Sequence, residues 1–160
     1  MKTYVITLSR CFPAKHSKAG EPTQFRDAFY AGLVFNRGSE CTCLRPKLHT
    51  IRANYPLWEK RIKEVQEGKA VLSVRQWAGR PYWSRQIEIA RLTAKDGVGI
   101  QMLRFLGDNF NGGYIRNGVY PSDKILANND GLSLADWEEW FRGYDLSKPL
   151  AIIHFTKFRY

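Results

Sequence analysis

The spacing of apolar positions along the chain alternates between a period of two and a period near 3.6. Residues 3–10 alternate and are rich in β-branched side chains, which predicts a first strand. Residues 11–23 hold two prolines, a glycine and the run Lys15-His16-Ser17-Lys18, so a basic loop follows. Thr23 is placed to cap a short helix over Gln24–Ala31, ended by Gly32. Residues 33–46, closing on Cys-Thr-Cys-Leu-Arg-Pro, read as an irregular excursion. Pro56 suits the first turn of a helix. Trp58, Ile62 and Val65 then fall at i, i+4 and i+7, so one face is buried. Glu59–Lys63, Lys60–Glu64 and Lys63–Glu67 are i,i+4 pairs on the wet face, and Gly68 ends the helix.

Two strands are expected next. In 69–77, Ala70, Leu72 and Val74 point one way and Ser73, Arg75 and Trp77 the other. After the turn Ala78-Gly79-Arg80-Pro81, residues 83–92 turn Ile87 and Ile89 to the core. A further strand is expected at Gly99–Leu106. Residues 107–131 are rich in Asn, Gly and Asp, with short apolar pieces at Tyr114-Ile115 and Ile125-Leu126. Ser133 caps a last helix whose buried face is Leu134, Trp137 and Phe141, with Gly143 closing it. Leu150–Phe155 is the final strand. Short strands dominate and helices are few. The order predicts an α+β fold: a small mixed β-barrel with a few flanking helices, in a single domain over 1–160.

Composition changes this picture mainly through charge. The chain has 160 residues, 44% hydrophobic and 25% charged, which is globular and excludes a disordered or collagen-like chain. With 25 Lys+Arg against 15 Asp+Glu the net charge is +10. Residues 1–120 carry 20 basic and 9 acidic groups, whereas residues 121–160 carry 5 and 6. An excess confined to one part of the chain points to a polyanion partner, nucleic acid first, beside the plain alternative of a solubilising surface. No run of 18 apolar residues is present, so no membrane span is expected. Three cysteines form no disulfide framework, and the Cys41-x-Cys43 spacing is not that of a zinc site. The expectation is a cytoplasmic protein with reduced thiols, no cofactor and no metal.

Three places hold candidate chemistry. In the extended segment Lys47-Leu48-His49-Thr50-Ile51-Arg52, Thr50 and Arg52 share one face and Lys47 can turn toward them. A hydroxyl flanked by an ammonium and a guanidinium suits an anion site or an activated nucleophile; ordinary basic decoration of a strand gives the same pattern. Asp130, in Asn128-Asn129-Asp130-Gly131, either caps its own turn or supplies the third group of a general-base arrangement. The run from Arg75 to Arg85 interleaves Arg75, Arg80 and Arg85 with Trp77, Tyr82 and Trp83. Such a tract can stack unpaired bases and pair with phosphates, or simply form a hairpin with packed rings and solvated arginines. His154, in mid-strand, reads as a structural residue.

These residues resemble the ASCH family of the PUA-like superfamily. The resemblance rests on Phe25–Gly32, on the Lys-x-x-Thr-x-Arg element at Lys47–Arg52, on Asp130-Gly131-Leu132-Ser133-Leu134 and on Leu150–Phe155, and covers roughly residues 24–160. It implies a PUA-like β-barrel with helices and a cleft that meets RNA, a nucleotide or a nucleoside. Some small ASCH proteins are amidohydrolases that remove the acetyl group of N4-acetylcytidine with a Lys, a Thr three residues later and a distant Glu. Carried over, Lys47 would help deprotonate the nucleophile, Thr50 would attack the acyl carbonyl, and Asp130, one methylene shorter than Glu, would assist proton transfer.

The sequence therefore leaves three readings. The first is binding of RNA, a nucleotide or a nucleoside in a basic cleft formed by Lys47, Thr50, Arg52, Arg75, Trp77, Arg80, Tyr82 and Arg85. The second is amide hydrolysis of an acylated cytidine-type nucleoside by Lys47, Thr50 and Asp130. The third is a protein-interaction module that docks through exposed aromatics.

Overall fold

The structure is a computed structural model and describes residues 1–35, 45–106 and 113–160. It is a mixed α+β arrangement of seven strands and four α-helices among the described residues. In chain order these are β1 (Lys2–Thr7), α1 (Phe25–Phe35), β2 (His49–Arg52), α2 (Tyr55–Gln66), β3 (Ala70–Trp77) and β4 (Gln86–Leu92). They continue with β5 (Gly99–Phe105), β6 (Gly113–Ile115), α3 (Asp123–Asn129), α4 (Leu134–Phe141) and β7 (Leu150–His154). The strands hydrogen-bond as two sheets, in the orders β1-β3-β4 and β2-β7-β5-β6.

In the first sheet β1 runs parallel to β3, with Lys2 opposite Ala70 and Thr7 opposite Arg75. A parallel pair needs a long crossover, and here it contains α1, β2 and α2. In the second sheet all pairings are antiparallel, and β7 is buried at all five positions between β2 and β5. Helix α2 packs against β3 of one sheet and β5 and β7 of the other, so it bridges them. Its start is built locally. Asn54 adopts the left-handed region (φ 63°), its side chain accepts from the Leu57 amide at 3.3 Å, and Pro56 fits the first turn. Tyr55, Trp58, Ile62 and Val65 then bury one stripe in a single contiguous core.

Several sequence expectations change. Helix α1 is not ended by Gly32 but runs on to Phe35, because Gly32 sits where the Lys47 backbone crosses the helix. A β-carbon there would meet the Lys47 carbonyl. Residues 33–35 of the expected excursion are thus helical; Cys41, Cys43 and the rest of 36–44 lie outside the described residues. Ile87 is exposed rather than in the core, out where β3 itself is only half-buried, and Ile89, packed against the core, is the residue left unpaired by the register shift between Val74 and Arg75. The first half of β3, Ala70–Val74, is buried on both faces. Leu134 stands exposed at the first position of α4, while Trp137 and Phe141 are buried as expected. Helix α3 is an addition to the sequence expectation; Ser122 caps it by accepting from the Ile125 amide at 3.2 Å, and its Leu126 and Ala127 are sealed within the core. No helix among the described residues is long and apolar enough to cross a membrane.

Candidate functional site

The segment entering β2 is pinned from three sides. The Lys47 amide donates to Ala28 O of α1 at 2.8 Å, and the Leu48 amide donates to Asn129 O of α3 at 2.8 Å. The Phe155 amide, just past β7, donates to Leu48 O at 3.1 Å. Gly131, at φ 82°, turns the chain out of α3 and leaves room for Lys47; a β-carbon on it would come 3.3 Å from Lys47 Cβ. Lys47 is therefore wedged between two glycines, one before and one after it in the chain.

Its side chain is buried with that of Asp130, at 1% and 4% exposure. Lys47 Nζ donates to Asp130 Oδ1 at 2.5 Å and to Asp130 O at 2.6 Å, and stands 4.1 Å from the centre of the Phe25 ring. Burial pushes the Lys47 ammonium below its ordinary range, opposed by the Asp130 charge. Burial likewise pushes the Asp130 carboxyl up, opposed first by Lys47 and then by Arg52. Both shifts favour the neutral amine–acid form of the pair. Asp130 also closes α3, but its carboxylate faces the lysine rather than its own turn.

Thr50 and Arg52 line the same pocket as Lys47 and Asp130. The alternation of β2 thus delivers the shared face that the sequence predicts. Thr50 is buried and makes no hydrogen bond to Lys47 or Asp130 among the described residues. Arg52 donates through Nη2 to Thr7 O of β1, and its buried Nε has no partner among the described residues. Phe25, Trp140 and Tyr144 add aromatic walls that sequence reasoning missed, because α1 and α4 bring them in from distant positions. The space within is about 20 Å³, room for about one water molecule.

The β3–β4 hairpin is a separate region. None of Arg75, Trp77, Arg80, Tyr82 and Arg85 lines the pocket. Arg75 is committed to its own sheet: its Nε donates to Ser73 Oγ at 2.8 Å, and its Nη2 lies 3.9 Å from Glu88. At the tip, Tyr82 and Trp83 are 87% and 79% exposed. Arg80 lies 5.4 Å from the Trp83 ring centre, and Tyr82 packs 5.3 Å from Trp77 while held at φ 67°. The expected basic loop is neutralised in part by α4: Lys18 Nζ meets Asp136 at 2.8 Å, and Ser17 donates twice to Glu139.

On the opposite face of β2 lies a network the sequence did not announce. Tyr160 Oη accepts from Asn129 Nδ2 at 3.0 Å and hydrogen-bonds His49 Nε2 at 2.7 Å. His154, across the register from His49, donates from Nε2 to Gln101 Oε1 at 2.8 Å. Burial holds His49 far below its ordinary range and His154 down to about 3, so both rings are neutral. Each leaves Nδ1 buried without a partner among the described residues.

Comparisons of the chain with family models, with curated proteins and with solved structures each found no match.

Proposed function

We propose that the protein binds a nucleoside- or nucleotide-type ligand at the Lys47–Thr50–Asp130 pocket, with RNA as its macromolecular partner. The observation that carries this reading is the convergence of Lys47, Thr50, Arg52 and Asp130 on one pocket with aromatic walls. Hydroxyl, ammonium, guanidinium and carboxyl groups beside Phe25, Trp140 and Tyr144 suit a planar, polar heterocycle. The surplus of basic groups in residues 1–120 and the exposed Arg80–Tyr82–Trp83 tip supply the polyanion side of the reading. A PUA-like barrel arrangement of the two sheets belongs to the same proposal. The present space admits about one water, so the ligand enters by its reacting or recognised group, and its bulk stays at the mouth. Titration of cytidine and N4-acetylcytidine, followed by amide chemical shifts of residues 47–52 and 128–132, tests it. Shifts centred on this pocket and abolished in Thr50→Val are expected; shifts absent or scattered over the surface overturn the reading.

A second reading, amide hydrolysis, is favoured by the buried Lys47–Asp130 pair. Transfer of the ammonium proton to Asp130 leaves a neutral amine, the form that can take the Thr50 hydroxyl proton. Thr50 Oγ1 then adds to the acyl carbonyl carbon. The C–N bond breaks as the leaving amine receives that proton, and water hydrolyses the resulting ester. Chromatography of N4-acetylcytidine incubations checks this: cytidine and acetate should form with the native chain and not with Lys47→Met. Equal product with both chains would remove the assignment.

A further inference from the structure

We propose that the outward face of β5 and β6 is a second binding site, one that takes an unpaired stretch of single-stranded RNA through its phosphates and a base. The inference rests on the polyanion part of the proposed function, and it concerns residues outside the pocket.

The face follows from strand alternation. Leu103, Phe105 and Ile115 point into the core, so Met102, Arg104, Tyr114 and Arg116 fall on the other side. The register sets Arg104 opposite Tyr114, and the Arg116 amide donates to Met102 O at 3.4 Å. Four side chains thus form a rectangle, with the two arginines on its diagonal, and they line a groove of about 300 Å³. Diagonal neighbours across a sheet are about 7–8 Å apart. The turn after β6, with Gly118 at φ 84° and a bridge from Ile115 to Val119, brings the exposed Tyr120 back to 6.1 Å from the Tyr114 ring.

Charge decides what the groove suits. Neither Arg104 nor Arg116 forms an ion pair among the described residues, whereas Arg75 and Arg91 share Glu88 and Lys18 holds Asp136. Two like charges on one diagonal repel, and an anion that bridges them removes the repulsion. Between them lie a tyrosine face and a thioether, a floor for a π-system rather than for a chain of carboxylates. A phosphodiester on the arginines with its base on Tyr114 uses every group present. A duplex, whose bases are stacked away, leaves the floor unused.

The test follows a short fluorescein-labelled oligouridylate by anisotropy at several salt concentrations. Arg104→Gln combined with Arg116→Gln should weaken binding about tenfold or more, and it should lower the slope of log affinity against log salt by about 1.4, as the loss of two phosphate contacts on a single strand requires. Tyr114→Ala should weaken binding while leaving that slope unchanged. An affinity and slope equal to the native chain's in the double variant would overturn the proposal, as would equally effective competition by polyglutamate. Cytidine titration at the pocket is run on the same variants. Pocket shifts absent from the native chain, with oligouridylate binding weakened in the double variant, break the pocket reading alone; pocket shifts present, with oligouridylate binding unchanged in the double variant, break this one alone.

Discussion

Two buried polar clusters back onto one another through β2 and differ in what burial has done to them. On the pocket side, Lys47 and Asp130 form a buried acid–base pair 2.5 Å apart, in which burial disfavours the charge on each partner and the other's charge opposes it. On the far side, His49 and His154 are neutral and each wastes a ring nitrogen. A buried charge pair costs several kcal/mol of desolvation per ion, and apolar residues of similar volume are often as stable. Its presence beside a pocket, with Thr50 and Arg52 on the same wall, fits chemistry better than packing. The histidines are tied to Tyr160 and Gln101 and line neither the Lys47 pocket nor the β5–β6 groove, which fits a structural seam.

The comparison breaks most sharply at the lysine. Lys47→Met leaves a buried carboxylate unpaired and should cost about 3–5 kcal/mol in denaturant unfolding. Adding Asp130→Leu should recover most of that loss without restoring ligand binding. A single-variant cost below about 1 kcal/mol would mean that Asp130 takes up a proton at no strain, and the pair would lose its distinction from the histidines.

Acid sharpens the contrast, because the two clusters respond with opposite sign. His154 stays neutral in the fold down to about 3, whereas the unfolded chain protonates it near 6.5. Its contribution is full above about pH 6.5 and is lost as the pH falls toward 3; at about pH 4.5 the loss is about 3 kcal/mol. Asp130, raised by burial, binds its proton more tightly in the fold, so it gains stability on acidification and loses it as the pH rises through its folded value. Unfolding of His154→Gln should show a shallower pH dependence between about 6.5 and about 4.5 than the native chain, and Asp130→Asn should lose stability more steeply than the native chain on acidification. An unchanged dependence in both would remove the distinction.

The smallest effect belongs to the strut between the clusters. Tyr160→Phe strips one hydroxyl that serves Asn129 and His49 and should cost about 1–3 kcal/mol. Because Asn129 adjoins Asp130 and also accepts from Leu48, the variant should shift the Lys47 and Asp130 resonances as well. A loss confined to the histidine side would show that the two faces of β2 are uncoupled.

Much of the scaffold was legible in the chain. The helical spacing of Trp58, Ile62 and Val65, the Ser133 cap, the alternation of β1 and the apolar run of β7 after Pro149 each carry their own local signal. Helix α3 does not: of its three apolar residues Leu126 and Ala127 meet the core while Ile125 is exposed, so only tertiary burial reveals it. Gly32 reads as a stop because a close backbone crossing leaves no trace in the sequence. At the site, strand alternation gave the shared face of Thr50 and Arg52. The approach of Asp130 came from the resemblance, since nothing local links two positions 83 residues apart. The aromatic walls and the Tyr160 network needed the fold.

The crossed connectivity also sets an order in time. β1 must wait for β3, and β2 finds its neighbour only in β7, at the far end of the described chain. Contacts of such long separation are closed late and slowly. The pocket, whose lysine and aspartate sit on either side of that last closure, is therefore among the final features to form as the polypeptide emerges and collapses. A chain arrested before β7 would carry Lys47 with β2 still unpaired, an open strand edge of the kind that invites aggregation.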